Sequence, residues 1–167
     1  MYWKKAVEQQ LQISELRKAM ETAARDVLPD VARRVFTDGK ASDGSAIGSY
    51  STKPIYISKK NSPVQNAGEP KEKTLFFPGG YRQFKSDIGR GDGVNLKVFG
   101  RLQSDYLTPK KENTATGVRY DLKESPNAEK KAGAEKRFGK AIFDLTEKEK
   151  ETVVNTVAFE VKRRIQA

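Results

Sequence analysis

The chain has 167 residues, 36% hydrophobic and 32% charged, with 32 Lys and Arg against 22 Asp and Glu for a formal net charge of +10. That length suits one ordinary domain with its own core, so residues 1–167 are expected to form a single structural domain of the α+β class. Cysteine and histidine are both absent, which removes disulfides, thiolate catalysis, iron–sulfur clusters, Cys-based zinc sites, the commonest general base and the commonest metal ligand.

A mean hydropathy of −0.75, with no apolar run near the roughly 18 residues of a membrane span, argues against insertion in a bilayer. Residues 1–10 mix Lys4, Lys5 and Glu8 with Tyr2 and Trp3, unlike a secretion signal, so the chain is expected to stay where it is made. The positive excess is compatible with a nucleic-acid partner, an acidic surface partner or solubility alone. Acidic residues are interleaved with basic ones along almost the whole sequence, whereas a sequence-specific DNA reader concentrates its cations on one helix or stripe. A general attraction to DNA phosphates needs no motif.

Val7, Leu11, Leu16, Met20, Ala23, Val27, Val31 and Val35 recur at spacings of a helical stripe, predicting a long amphipathic N-terminal helix ending near Phe36. Pro29 interrupts the stripe and predicts two helices or one kinked helix, because proline deletes a donor and crowds the preceding turn. Tyr2 and Trp3 either cap the core or dock on a neighbouring subunit. Residues 37–52 have the Gly, Asp and Ser density of a loop. Counted from Asp38 as a calcium loop, they place Lys40 third and Ser49 twelfth, where oxygen ligands and a Glu are required. Residues 54–58 suit a short edge strand with Pro54 at its start, and 59–73 read as a mobile basic arm.

A brief apolar run at 74–78 precedes Tyr81, Phe84 and Ile88, spaced for one or two helical turns. The Arg90-Gly91-Asp92 step matches a tripeptide that some adhesion receptors read, but it lies in a glycine-rich connector of a chain without a secretion signal. Val94, Leu96 and Val98 alternate with polar neighbours, predicting a strand. After an apolar cluster at Leu102, Tyr106 and Leu107, residues 109–117 read as a polar loop and 118–122 as the strand's return arm. Residues 127–137 are helix-compatible. Thr146 and Glu149 form a capping box before a last helix with Val154, Val157, Val161 and Ile165 on one face and Ala158 beside them. These elements predict a small antiparallel sheet covered by the long N-terminal and C-terminal helices, plus the loop arm.

No constellation carries chemistry. Ser86-Asp87 and Ser104-Asp105 lack the flanking glycines of a nucleophile elbow; Gly89, Gly91 and Gly93 do not form a phosphate cradle; Glu147, Glu149 and Glu151 are spaced by twos and splay around a helix. The chain is therefore expected not to be an enzyme, with no catalytic or metal-binding residues.

Val35-Phe36, Thr37-Asp38-Gly39, Asp43-Gly44-Ser45, Tyr50, Thr52 and Lys53 form one group of landmarks. Val94-Asn95-Leu96-Lys97-Val98-Phe99-Gly100-Arg101-Leu102-Gln103-Ser104 forms a second, and Arg137-Phe138-Gly139 with Ile142-Phe143-Asp144-Leu145-Thr146 a third. In order and spacing, over most of residues 30–165, they resemble the virion-morphogenesis or tail-completion proteins of tailed bacteriophages, which are small α+β neck or tail-terminator-like proteins. Tyr50 stands where that family frequently has Trp, and the basic arm is longer than is usual there. The resemblance implies a structural protein that forms a homo-oligomeric ring, a hexamer, completing the tail or joining it to the head-side connector. It implies contacts with connector, neck and tail tube or sheath proteins, no cofactor, assembly in the bacterial host cytoplasm and a final place in the virion.

For such a ring, Lys59, Lys60, Lys71, Lys73, Lys110 and Lys111 are candidate arm or lumen contacts, including non-specific contact with DNA; loop lysines that keep the surface soluble are the alternative. Tyr2, Trp3, Tyr50, Tyr56 and Tyr81 are candidate subunit-interface anchors, or core residues. The alternative function is a small basic nucleic-acid-binding or DNA-packaging accessory protein.

Overall fold

The computed structural model describes residues 2–59, 74–91, 93–121 and 125–165. The elements in chain order are α1 (Tyr2–Phe36), β1 (Ile55–Ser58), β2 (Thr74–Phe77), α2 (Gly80–Asp87), α3 (Arg101–Leu107), β3 (Lys110–Asn113), β4 (Val118–Asp121), α4 (Ser125–Phe138) and α5 (Glu147–Ile165). The mixed α+β class follows the sequence expectation, with long helices at both ends. One detail of that expectation is corrected: in place of a single small sheet, the described residues form two separate antiparallel pairs, β1 with β2 and β3 with β4.

Helix α1 is one element of 35 residues with Pro29 inside it. Pro29 is exposed, while Ala23, Val27, Val31 and Val35, four apart, are buried; burial along both halves outweighs the single donor that proline lacks. Helix α5 runs antiparallel along α1. Arg34 pairs with Glu149 at one end, 3.0 Å apart, and Glu15 with Arg164 at the other, 3.3 Å apart.

The capping box forms as expected. The Thr146 amide donates to a Glu149 carboxylate oxygen at 2.7 Å and the Glu149 amide to the Thr146 hydroxyl at 3.1 Å. The apolar face of α5 keeps Val157 and Val161 half-buried as expected but leaves Val154 out. Val153 packs on the core, whereas Val154 is 64% and Phe159 65% exposed. Glu149 and Glu160 are buried, held by Arg34 and by Arg163 and Arg164. Two anchored carboxylates set the helix rotation, so Val153 falls on their face at i+4 and Val154 does not.

Residues 94–98 form no strand, contrary to the alternation. Their ladder groups are engaged locally: the Lys85 amine donates to the Lys97 carbonyl and to Asn95 Oδ1, and the Lys97 amide donates to the same Asn95 oxygen. Leu96 sits at φ 50°, outside the strand region. The partner of β4 is instead β3, inside the expected polar loop, with Lys110 opposite Asp121 and Glu112 opposite Arg119. Opposite charges across the pair replace the apolar alternation that marks a buried strand. Lys110 and Lys111 are thus strand residues, and Lys111 ties the hairpin to α1 through Glu21 at 2.9 Å.

Most of the core gathers around Phe36, which is buried with Val31, Val35, Ala41, Ile47, Tyr50, Val94, Ile142 and Phe143. The 37–53 loop supplies Ala41, Ile47 and Tyr50, and Asp43 steadies its tip by accepting from the Ser45 amide at 2.9 Å and hydroxyl at 2.6 Å. A second cluster joins the inner face of β1 and β2 to α2 through Leu75, Phe77 and Phe84, with Tyr81 packing on both clusters.

Candidate functional site

Three of the five tyrosine and tryptophan positions expected to be anchors come together. Tyr50, Tyr56 and Tyr81 line one open cleft of about 800 Å3, walled by β1, the 96–102 segment and α4. Their environments differ. Tyr50 is buried and meets Tyr81 edge to face, ring centroids 5.1 Å apart, so these two belong to the packing beneath the cleft. Tyr56 is 72% exposed and leans on Phe76, centroids 4.8 Å apart, on the outer face of the β1/β2 hairpin. The side chains of Tyr2 and Trp3 lie outside the described residues.

Burial raises the Tyr50 and Tyr81 hydroxyl pKa values above the ordinary 10.0, so both remain neutral donors or acceptors near neutral pH. Tyr50 accepts a hydrogen bond from the Asn95 amide at 3.3 Å. Beneath its ring lies Lys85, fully buried, with Nζ 5.3 Å from the Tyr50 centroid. The amine is pushed down to about 8, first by burial and then by the charges of Arg90 and Lys97.

The folded protein therefore holds that proton less tightly than the unfolded chain. The stability from this group is fully present above the ordinary 10.5 and is lost as pH falls through about 8. Relative to Lys85→Met, the natural protein should gain about 2 kcal/mol between those values, given about 1.4 kcal/mol per pKa unit and partial screening. Parallel urea unfolding of both proteins at either end of the window checks this. An unchanged difference would mean that the amine titrates normally.

The rim of the cleft carries residues that the sequence reading did not select: Phe99, Arg101, Lys130 and Arg137. Phe99 is 51% exposed. The Arg101 guanidinium lies 5.9 Å from the Phe99 centroid and that of Arg137 5.5 Å from Phe138. The signal available in sequence was the close alternation of aromatic and cation in Phe99-Gly100-Arg101 and Arg137-Phe138. What it lacked was the fold that brings α4 opposite the 99–101 turn.

Among the described residues the candidate lysines do not gather. Lys59, half-buried, follows β1; Lys110 and Lys111 lie on the other hairpin; Lys60, Lys71 and Lys73, and the expected arm beyond Lys59, lie outside the described residues. Among the described residues no group of acidic side chains is placed to hold a metal ion, and no helix is long and apolar enough to cross a membrane. Comparison with protein-family models, curated proteins and solved structures gives no match.

Proposed function

We propose that this protein is a structural component of the neck or tail end of a tailed bacteriophage, acting by assembly into a homo-oligomeric ring that completes the tail or joins it to the head-side connector. The observation that carries this reading is the set of exposed apolar side chains on different elements, the paired rings of Tyr56 and Phe76 on the β1/β2 hairpin and, separately, Val154 and Phe159 on α5. A head-to-tail ring uses two unlike surfaces of each subunit, and burying such rings and aliphatic groups favours association. The landmarks of the phage resemblance add support. Phe36, Tyr50, Val94, Leu102, Ile142 and Phe143, drawn from all three sequence groups, pack in one core.

Sedimentation velocity tests the proposal. A species of about 112 kDa, six times the 18.7 kDa chain, is expected to persist from about 0.15 M to about 1 M salt, because apolar contacts are not screened. Phe76→Ser and Phe159→Ser, both at exposed positions, should each release single chains. A single 18.7 kDa species in low and high salt would refute the ring. The second reading, a small basic nucleic-acid-binding or packaging accessory protein, is favoured by the cationic rim of the cleft.

A further inference from the structure

We propose that the cleft between β1, the 96–102 segment and α4 binds single-stranded nucleic acid, through base stacking and phosphate charge and without sequence readout. The inference stands on this cleft alone and does not depend on the ring. Its first support is charge. Arg101, Lys130 and Arg137 line the cleft, and among the described residues no Asp or Glu does.

Elsewhere on the surface, cations are commonly neutralised: Lys18 by Glu15, Arg33 by Asp30, Lys111 by Glu21, Arg119 by Asp121 and Lys150 by Glu147. Arg101 and Arg137 are held against Phe99 and Phe138, with no carboxylate among the described residues that line the cleft. The cations of the cleft are thus without acidic neighbours among its described lining residues, which suits a polyanion.

The second support is the kind of apolar surface. Phe99, 51% exposed, and the half-buried Phe138 line the cleft, each with a guanidinium group over its ring, and flat rings beside guanidinium groups are the platform on which unstacked bases lie. A duplex keeps its base faces stacked inside and would meet only the cations. An acidic peptide would satisfy the charges but has no need of the exposed rings. Three cations imply contact with about three phosphates, and hence a slope of log affinity against log salt near −2 for a single strand.

The test is fluorescence anisotropy of the full chain with a labelled oligothymidylate of about 12 nucleotides, long enough to span such a site. Binding is expected with that salt slope. Arg101→Gln combined with Arg137→Gln should weaken it by about 10-fold or more, and Phe99→Ala, which alters an exposed ring, by about 5- to 100-fold. Lys148→Gln, on the outer side of α5, should leave it unchanged.

Absence of binding, binding indifferent to the cleft variants, or equally tight binding of a duplex or of polyglutamate would overturn the proposal. Sedimentation of the same variants separates the cleft from assembly. If they dissociate a ring without lowering oligonucleotide affinity, the cleft is a subunit contact and the proposal fails.

Discussion

Arg34→Met is expected to cost about 3–5 kcal/mol of folding stability, the loss that follows when a buried ion pair is broken from one side. Arg34 is buried and uses all five of its donors. Nε and one terminal nitrogen meet Glu149 at 3.0 and 3.3 Å; the others reach the carbonyls of Lys40, Ile142 and Asp144 at 3.1, 3.0 and 2.8 Å. One side chain thus fastens α1 to the 37–53 loop, to the 141–146 connection and to α5. Methionine fills much of the same volume but leaves a buried carboxylate and three carbonyls without this donor.

The pH dependence carries the same cause. Burial alone would raise the Glu149 carboxyl, but the Arg34 hydrogen bonds and charge, with the Thr146 amide, more than offset it and hold the group below its ordinary 4.5. Its stabilising contribution is therefore present above that value and lost as pH falls through the lowered folded one. The gap between the natural protein and Arg34→Met should narrow in acid. Urea unfolding at neutral pH and below pH 4.5 measures both. A neutral-pH loss under about 1 kcal/mol, the range of exposed pairs, would contradict the role assigned to Arg34.

Gly80→Ala is expected to cost about 3 kcal/mol, at the top of the range for local backbone strain. Gly80 opens α2 at φ +71°, and a Cβ there would lie 2.5 Å from the carbonyl oxygens of both Ser51 and Lys53. That close approach lets the Arg82 amide donate to the Ser51 carbonyl at 3.1 Å, seating α2 on the segment before β1. Gly89→Ala is the control. Gly89 has nearly the same φ, +68°, but open space around it, so only the left-handed conformation is penalised, by about 1 kcal/mol. Thermal unfolding of the two variants should differ accordingly; equal losses would mean that the Ser51 and Lys53 carbonyls yield freely.

Much of the helical frame was readable because its determinants are local. The four-residue steps from Ala23 to Val35, the Tyr81, Phe84 and Ile88 spacing and the Thr146/Glu149 capping box each report their element without knowledge of the rest. The misreadings share another origin. The alternation at 94–98 carries no record that the amine of Lys85, twelve residues before Lys97, takes the Lys97 backbone carbonyl, and the polar run 110–113 becomes a strand only opposite its charge complement. The face of α5 depends on two glutamates that ordinary hydropathy places in solvent. At the cleft, the tyrosines stood out by residue type, but Arg101, Lys130 and Arg137 acquire meaning only when the fold sets α4 across from the 99–101 turn.

Negative-stain electron microscopy of the purified chain at micromolar concentration addresses self-assembly most directly. Closed rings of uniform diameter and rotational symmetry, with class averages compatible with about six copies of the 18.7 kDa subunit, are the expected result. Fields of separate particles no larger than one chain, at a concentration where the protein is fully folded, would contradict assembly as its mode of action.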